Sequence, residues 1–301
     1  MKSLCIFLHY GKTPYIPFYV WVYVNELADY FDQVVIVHNT RPLENIKESL
    51  KQNISMADFP NEGYDFGLFY RYFKTIKPEN FSQIACVNDS NILINKLEQV
   101  INWGMQADYD FWGIMDSNER PWFSSHDNNY HIQSHFLVFK RRAIEILANF
   151  INTIDAEKIF AEKDQKKLRR LVINQWEIGL SRYLFEANLC GGAFICSEKF
   201  RKQYNIDKPV NIGHKLYPEL IQSGLPLLKK RIIMSPSYKD RFRFRKHWKK
   251  LFLKHGNPNW NIRKIIQEME QIRAQSSNSI FYVLKMKIKQ GISVFQDQKA
   301  A

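Results

Sequence analysis

The chain has 301 residues, of which 45% are hydrophobic and 15% aromatic, and this composition excludes a disordered polypeptide. Its formal net charge of +13 lies mostly near the C-terminus. Residues 1–238 carry 28 Lys and Arg against 26 Asp and Glu, residues 239–254 carry 8 against 1, and residues 255–301 carry 7 against 3. A near-neutral body with a basic tail indicates an enzyme domain tethered to an anionic partner, rather than a nucleic-acid-binding fold.

The first 140 residues alternate apolar, strand-like runs with helical stretches. This pattern is typical of an α/β fold with a mainly parallel central sheet flanked by helices. Strands are predicted at 3–9, 34–38, 54–57, 83–87, 109–115 and 132–140, and helices at 18–31, 43–52, 68–76 and 93–106. Such sheets bind ligands outside the carboxyl ends of their strands, so the residues that follow each strand are the candidate site residues.

From residue 141 onward the pattern is mainly helical, with one strand-like interval at 192–196. We place a domain boundary after Ser237, which gives a domain of residues 1–237 and a basic helical tail of residues 238–301. One face of this tail is apolar and comprises Phe244, Trp248, Leu251 and Phe252, with Arg241, Arg245 and Lys249 along its flank. The spacing predicts an amphipathic helix that binds an anionic membrane surface, and a second stripe at 281–295 repeats the pattern.

No signal-peptide pattern and no run of about 18 apolar residues occurs in the sequence. The four cysteines lack C-x-x-C spacing and three lie in apolar runs, so we expect buried free thiols and a reducing compartment. Gly11-Lys12-Thr13 fails to match a phosphate loop because Ile6 stands where the leading glycine belongs. The motifs G-x-G-x-x-G, H-E-x-x-H and G-x-S-x-G are missing, which argues against oxidoreductase, zinc-protease and α/β-hydrolase chemistry.

Asn88-Asp89-Ser90 follows directly on the apolar run that ends at Val87, so a carboxylate should emerge at the carboxyl edge of the sheet. Asp89 suits a divalent cation, Mn²⁺ or Mg²⁺, that bridges the phosphates of a nucleotide sugar, because these ions prefer oxygen ligands. Asn88 and Ser90 would contact the same nucleotide sugar. The alternative is a simple turn that caps the next helix, and the spacing alone does not decide between the two.

Acidic segments at 110–113 and 116–119 bracket a second strand end, and His131, Gln133 and His135 follow shortly after. Alternation along a strand would place these three side chains on one face. With the ring of Trp112 nearby they would suit a hydroxylated substrate, although a lone histidine there is more often a core residue.

Residues 61–67 form a glycine-punctuated loop that opens a helix. Asn61, Tyr64 and Asp65 could hold a nucleotide base or ribose, or Asp65 could only cap the helix.

Glu177 lies on a later predicted helix, where a carboxylate could deprotonate an acceptor hydroxyl, although a helical Glu is usually a solvated charge.

Together these clusters resemble the rhamnan synthesis F family of bacterial polysaccharide glycosyltransferases. The matching segments are 61–67 (Asn-x-Gly-Tyr-Asp-Phe-Gly), 87–90 (Asn-Asp-Ser), 110–113 (Asp-Phe-Trp-Gly) and 131–139 (His-x-Gln-Ser-x-Phe-x-x-Phe). Residues 176–180 look like a Glu-containing segment of the family, and 208–231 look like its closing region. The resemblance covers about residues 1–235 and leaves the basic tail outside it.

The family is similar to the GT-A class, so the resemblance implies a GT-A-like domain and a nucleotide-sugar donor. It gives Asp89 the role of the metal-binding carboxylate, with His214 in a region that can supply a late metal or phosphate contact. It gives Glu177 the role of acceptor base, and because Ile178 replaces the second acid of that segment, Asp116 is the competing candidate. The reaction implied is displacement at the anomeric carbon of the sugar, with departure of the nucleoside diphosphate.

We therefore predict a hexosyltransferase, with rhamnose among the candidate sugars, that acts on a cell-surface polysaccharide or lipopolysaccharide. Its acceptor would be a glycan or lipid-linked glycan. The enzyme would be cytoplasmic and peripheral to the inner face of the bacterial cell membrane, held there by its tail, with no nucleic-acid partner. Two alternatives stay open: a nucleic-acid-binding protein that uses Phe242, Phe244 and Trp248 of the tail, and a sugar-binding scaffold without turnover.

Overall fold

The computed structural model describes residues 1–11, 15–40, 50–60, 62–234 and 247–275. The chain divides into two units, Met1–Lys229 and Lys230–Ala301. The predicted domain boundary at residue 237 falls outside the described residues and stays a prediction.

The first unit contains ten described strands. They are β1 (Lys2–His9), β2 (Gln33–His38), β3 (Ile54–Asp58), β4 (Phe81–Asn88), β5 (Asn91–Leu93), β6 (Phe111–Ser117), β7 (His131–Ile132), β8 (Phe136–Lys140), β9 (Gly191–Ile195) and β10 (Leu227–Lys229). The central sheet has the order β3-β2-β1-β4-β8-β6-β7, with β9 beside β6. Strands β3, β2, β1 and β4 are parallel, as are β6 and β9, whereas β8 runs antiparallel to both of its neighbours. The sheet is mainly parallel, as predicted, and β5 pairs with β10 in a separate antiparallel ribbon.

Helices cover both faces of this sheet. They are α1 (Phe18–Leu27), α2 (Tyr64–Phe73), α3 (Glu98–Gln106), α4 (Arg141–Thr153), α5 (Ala156–Ala161), α6 (Gln165–Val172), α7 (Gly179–Glu186), α8 (Ser197–Gln203), α9 (Ile212–Lys215) and α10 (Tyr217–Gln222), with a π-helical turn at Ile173–Ile178. Leu4, Ile6 and Leu8 of β1 join a core with α2 and α4, whereas Phe7 packs edge-on against Tyr23 of α1. Because both faces are buried, β1 is a nearly continuous apolar run rather than an alternating one.

Helix α2 begins four residues earlier than predicted, and two glycines explain its start. Gly63 adopts φ 82° immediately before the helix, in the left-handed region that glycine tolerates best. A Cβ atom at Gly67 would lie 1.5 Å from the carbonyl oxygen of Glu62, so the loop closes tightly over the first turn of the helix. The glycines of the 61–67 segment therefore have a local structural role.

Three sequence-based predictions were wrong. The predicted helix over 93–106 begins only at Glu98, because the segment before it pairs as β5 with β10, far along the chain. The predicted strand over 132–140 is broken by a turn at 134–135, so His131, Gln133 and His135 do not alternate along one strand. Cys190 is exposed rather than buried. Most of the helix predicted over 43–52 lies outside the described residues.

The second unit is helical where it is described, with α11 (Lys230–Met234), α12 (His247–His255) and a helix over 262–275. Trp248, Leu251 and Phe252 of the predicted membrane-binding face are buried, with Trp248 only 1% exposed. They are therefore not available to a bilayer, and Trp248 is not available to stack on a nucleic-acid base. Phe242, Phe244 and the stripe at 281–295 lie outside the described residues. Within the described part of the chain, no helix has the length and apolar character needed to cross a membrane.

Candidate functional site

The carboxyl ends of β1, β2 and β4 bring together two histidines and a carboxylate. His9 is the residue paired with His38 across β1 and β2, so both side chains lie at one level of the sheet edge. Asp89 begins the turn after β4, and its backbone N–H donates to the carbonyl of Leu8, which places it beside His9. Nδ1 of His9 lies 2.8 Å from Oδ2 of Asp89. We call His9, His38 and Asp89 the histidine row.

The histidine row is closed to solvent. Asp89 is 6% exposed, and its Oδ2 accepts a second hydrogen bond from the hydroxyl of Tyr19 in α1, at 3.0 Å. The rings of His9 and His38 have centroids 4.9 Å apart. Burial lowers the pKa of His38 and outweighs the raising effect of its Thr40 hydrogen bond, so this imidazole is neutral at neutral pH.

Asp89 and His214 are the predicted metal ligands, and this pairing stays a prediction. The Oδ2 atom of Asp89 already accepts hydrogen bonds from His9 and Tyr19, and His214 lies on α9. Across the residues that the structure describes, no three His, Cys, Asp or Glu side chains group as metal ligands.

The turn at 133–135 connects several of the predicted segments. The side-chain amide of Gln133 donates to the carbonyl of Asp116 at 3.3 Å, and the hydroxyl of Ser134 donates to Oε1 of Glu177 at 3.2 Å. The carbonyl of His135 accepts from the backbone N–H of Asn88 at 3.1 Å. Segments that are far apart in sequence thus meet at the carboxyl edge of the sheet, as the strand-end argument predicts.

A cleft beside this turn carries a lysine. Lys229 in β10 pairs with Asn91 in β5, and its Nζ donates to Oε1 of Gln133 at 2.9 Å. The cleft is small, with a cavity volume of about 10 Å³, and is lined by Asn91, Met115, His135, Gly213, Tyr217, Leu220, Leu225, Leu227 and Lys229. Burial, followed by the charge of Lys229, lowers the pKa of His135 to about 3, so this ring is neutral. We call this space the lysine cleft.

The two candidate base residues have different surroundings. Asp116 is 4% exposed, and its Oδ1 accepts from the backbone N–H of Ser197 at 2.5 Å at the start of α8. Its Oδ2 accepts from the hydroxyl of Tyr130 at 3.4 Å, and burial together with Asp116 raises the pKa of that phenol. Glu177 is half-buried and bonds to the hydroxyl of Ser134. The carboxylate of Asp116 therefore serves local structure, whereas that of Glu177 is more accessible.

Glu177 lies within the π-helical turn at Ile173–Ile178. Trp176, one residue earlier, is buried against the rings of Phe66, Phe69 and Phe150. A π-helical turn adds a residue to the helical repeat and so changes the direction of the side chains around it, and such turns are frequent at functional sites.

The remaining predicted donor-binding residues are dispersed. Trp112 is fully buried and packs against Gly104, where a Cβ would lie 2.2 Å from its ring, so it is a core residue. Tyr64 is at the start of α2, and its hydroxyl donates to Gln165. Asp65 occupies the first turn of the same helix. These three residues do not gather with the lysine cleft.

Asn88, Ser90 and His131 make short-range contacts. The side chain of Asn88 accepts from the backbone N–H of Ser90 at 3.1 Å, which forms a turn, but this turn leads into β5 and does not cap a helix. Nδ1 of His131 lies 2.8 Å from the carbonyl of Asn129. Asn61 lies outside the described residues.

Sequence reasoning missed His9, His38 and Lys229. A signal for the two histidines was present, because each is a titratable residue that ends an apolar strand, in Leu4-Cys5-Ile6-Phe7-Leu8-His9 and Val34-Val35-Ile36-Val37-His38. The same rule had selected Asp89. Lys229 lies within the segment 208–231 of the family resemblance, but its place beside Gln133 depends on pairing between β5 and β10.

No protein-family model matches the chain, and no curated protein matches it significantly. Among solved structures, the chain is similar over part of its length to HddC from Yersinia pseudotuberculosis, with 13% identity, 48% of this chain and 79% of that chain covered, and a TM-score of 0.32. It is also similar to 4-diphosphocytidyl-2C-methyl-D-erythritol synthase from Anaerococcus prevotii, with 11% identity, 65% and 86% covered, and a TM-score of 0.41. Likenesses of this size say nothing about the activity of this chain.

Proposed function

We propose that the chain is a glycosyltransferase that moves a sugar from a nucleoside-diphosphate donor to a glycan or lipid-linked glycan acceptor. The observation that supports this most directly is the turn at 133–135, which joins the Asn88, Asp116, Glu177 and Lys229 segments at the carboxyl edge of the sheet. That edge is where open α/β sheets bind their ligands. The order of these segments is also what resembles the rhamnan synthesis F family.

In this proposal the donor lies at the carboxyl edge of the sheet beside Lys229, since the lysine cleft itself, at about 10 Å³, holds no more than a water-sized group. Lys229 places a cation beside apolar leucine side chains, an arrangement that suits a ligand with a charged diphosphate and a less polar sugar or base. As the bond between the anomeric carbon and the diphosphate breaks, negative charge grows on the departing phosphate oxygen. A lysine held in place by Gln133 stabilises that charge without further rearrangement.

Glu177 is the proposed acceptor base. The acceptor hydroxyl oxygen attacks the anomeric carbon, the diphosphate leaves with the bonding electron pair, and the hydroxyl proton passes to the Glu177 carboxylate. Glu177 is preferred to Asp116 because the Asp116 oxygens already accept from Ser197 and Tyr130. If a divalent cation is bound, Asp89 and His214 are the residues that the family resemblance gives for holding it, and it would stabilise the departing diphosphate.

The finer parts of the proposal concern sugar, acceptor and location. Rhamnose is the sugar that the family resemblance favours, and a bacterial cell-surface polysaccharide or lipopolysaccharide is the product. Attachment to the anionic inner face of the membrane rests on the basic charge of residues 239–254, since Trp248, Leu251 and Phe252 are buried.

The test is a panel of nucleotide sugars given to the purified full chain, with binding followed by thermal shift and turnover by nucleoside-diphosphate release. We expect at least one donor to bind and to be consumed when a lipid-linked glycan is added. Lys229→Met should weaken donor binding, whereas the matched control Lys215→Met, an exposed lysine on α9, should not. If no nucleotide sugar binds, the proposal is wrong; binding without turnover would indicate a sugar-binding scaffold.

A further inference from the structure

A basic segment leads into helix α6 and covers its first turns. Residues 163–170 contain five Lys and Arg residues against one Asp, whereas the remaining residues of 1–238 contain 23 Lys and Arg against 25 Asp and Glu. The positive charge of this part of the chain is therefore concentrated in one short stretch, where it produces a local positive potential.

The cations of this segment are exposed and form no side-chain ion pair. Lys166 and Lys167 are exposed on α6, and their spacing from Arg170, four and three residues, places all three on one face of the helix. None of the ion pairs among the described residues involves a cation of the segment. Elsewhere on the first unit, surface cations such as Arg142 and Lys202 do pair with carboxylates.

The acid of the segment is used by the backbone. Asp164 is the N-cap of α6, and its Oδ1 accepts from the backbone N–H groups of Lys166 at 2.8 Å and Lys167 at 3.1 Å. The carboxylate is thus bonded to the end of the helix and not to a lysine ammonium group, which leaves the cations on the face of α6 open to an external anion.

An exposed tryptophan adjoins this basic face. Trp122, in the loop between β6 and β7, is 80% exposed, whereas the other six tryptophans of the chain are buried or half-buried. The guanidinium carbon of Arg170 lies over the Trp122 ring, 4.4 Å from its centroid. The ring and the basic face therefore form one continuous surface.

The loop that carries Trp122 is held against the π-helical turn that follows α6. Oδ1 of Asn174 accepts from the backbone N–H of Ser125 at 3.1 Å, and Nδ2 of Asn174 donates to the Ser125 hydroxyl at 2.7 Å. Nε2 of His126 lies 2.8 Å from the Asn174 carbonyl. Glu177, the proposed acceptor base, belongs to the same turn as Asn174. One continuous helical segment, residues 165–178, thus carries both the basic face and the proposed base.

We propose that the exposed basic face of α6 and the tryptophan beside it bind an anionic lipid bilayer. Lys and Arg side chains are attracted to the negative potential of anionic lipids, and tryptophan favours the headgroup region, where one part of its ring is apolar and its N–H is hydrated. The bilayer supplies the negative charge that the described residues do not. We call these four residues the α6 surface: Trp122, Lys166, Lys167 and Arg170.

A single-stranded nucleic acid is the competing ligand, because bases stack on exposed rings and phosphates bind cations. The bilayer is favoured because the Arg170 guanidinium already lies over the Trp122 ring. A base would have to displace that group or use the opposite face of the ring, whereas entry of the ring among lipid headgroups leaves the contact intact.

The α6 surface belongs to the first unit and is separate from the basic residues 239–254. Its connection with the reaction rests on the proposed function. If both proposals hold, binding to the bilayer brings a lipid-linked acceptor to the helical segment that carries Glu177.

The experiment measures binding of the purified full chain to vesicles without any nucleotide sugar. Flotation compares vesicles of phosphatidylglycerol and phosphatidylcholine in equal parts with vesicles of phosphatidylcholine alone, and we expect binding to the anionic vesicles only. Replacing Lys166, Lys167 and Arg170 together with Gln should weaken this binding by about 5-fold per charge, or about 100-fold in all, at low ionic strength.

The matched control replaces Lys199, Lys202 and Lys215 with Gln, which removes the same charge from exposed lysines of α8 and α9. Its binding should remain close to that of the unmodified chain. Residues 239–254 are unchanged in both triple variants, so the difference between them reports the α6 surface. Equal vesicle binding by the two triple variants would overturn the proposal.

Trp122→Leu provides a second test that does not depend on the charge variants. Vesicles with dibrominated acyl chains should quench part of the tryptophan fluorescence of the unmodified chain, and this quenching should disappear in Trp122→Leu, because the other tryptophans are less exposed. Quenching that persists unchanged would also overturn the proposal. So would binding of single-stranded RNA that the basic triple variant loses, in a chain that binds no vesicles.

Donor binding is measured separately in the absence of vesicles, so the two proposals fail in different ways. Donor binding without vesicle binding removes only the α6 surface. Vesicle binding through the α6 surface without any donor binding removes only the glycosyltransferase proposal.

Discussion

The hydroxyl of Tyr19 and the carboxylate of Asp89 are 3.0 Å apart, which ties helix α1 to the turn after β4. His9 shares the same carboxylate oxygen, so Asp89 accepts hydrogen bonds from two buried donors. Asp89→Ala would remove the acceptor of both, and we expect a loss of about 1–3 kcal/mol in the free energy of unfolding.

Asp89→Asn keeps a carbonyl oxygen in the same place, so its destabilisation should be smaller. Urea denaturation of both variants measures the difference. Equal stability of Asp89→Ala and the unmodified chain would show that these hydrogen bonds do not hold the turn.

The base assignment can be tested without altering the fold. Glu177→Gln retains an oxygen that accepts from Ser134 but cannot take up a proton at neutral pH, so we expect transfer to fall by about 10²- to 10⁴-fold with donor binding unchanged. Asp116→Asn should instead lower the melting temperature, because it weakens the bonds to Ser197 and Tyr130. The opposite result, with normal transfer in Glu177→Gln, would move the base role to Asp116.

Replacing Gly67 or Gly179 with alanine should have different effects on stability, because the two sites leave different room for a Cβ atom. Gly67→Ala places Cβ 1.5 Å from the carbonyl oxygen of Glu62, so the start of α2 must open, and we expect a loss of at least about 2 kcal/mol. In Gly179→Ala the nearest atom is the Asn174 carbonyl oxygen at 3.1 Å, and the gain in helix propensity offsets the crowding. Thermal unfolding should therefore separate the two variants clearly; similar melting temperatures would contradict this account.

The buried ring of His135 should make the free energy of unfolding depend on pH. Its pKa is lowered to about 3 in the folded protein, so the unfolded chain binds more protons between about pH 6.5 and pH 3. The stability that its burial provides is complete above the unfolded pKa and is lost as the pH falls, by up to about 1.4 kcal/mol per pH unit. His135→Gln should reduce this slope between pH 6 and pH 4, as measured by urea denaturation. An unchanged slope would show that other groups determine it.

If the chain binds an anionic membrane, the binding should depend on the basic side chains of residues 239–254 rather than on Trp248, Leu251 and Phe252, which are buried. Replacing Arg241, Arg243 and Arg245 with Gln should reduce recovery of the full chain with anionic liposomes in a flotation assay, by removing about 1 kcal/mol of attraction per charge. Neutral liposomes serve as the control. Equal recovery of the variant and the unmodified chain would contradict the role of this segment.

Most of the fold could be predicted, because its strands are long and apolar. The limits of β1 and β4 follow from runs such as Leu4–Leu8 and Ile84–Val87, which are buried on both faces of the sheet. Strand β5 could not be predicted, because three residues become a strand only when Leu227–Lys229 pairs with them from far along the chain. The turn at 134–135 was missed for a similar reason, since contacts with Asn88 and Glu177 determine it.

The site was predicted less completely than the fold. The strand-end rule selected the Asn88 and Asp116 segments as candidates, and the structure brings both into contact with the turn at 133–135, because parallel strands place their carboxyl ends at one edge. It could not show that the carboxylate of Asp89 is already bonded to His9 and Tyr19, since these contacts depend on side-chain directions that sequence periodicity does not give. Trp112 was predicted to contact substrate but lies in the core. Its ring packs against Gly104, a contact that the Asp-Phe-Trp-Gly segment alone does not predict.

The pairing of β5 with β10 has a consequence for the order of assembly. Lys229 belongs to one of the last segments of its unit to leave the ribosome, yet it pairs with Asn91 of β5, which is synthesised much earlier, directly after β4. A nascent chain can therefore build most of the sheet before the lysine cleft exists, because this closure spans a long stretch of sequence and long-range pairings form late. Ligand capture should then be impossible during synthesis and should begin only after nearly the whole unit has emerged.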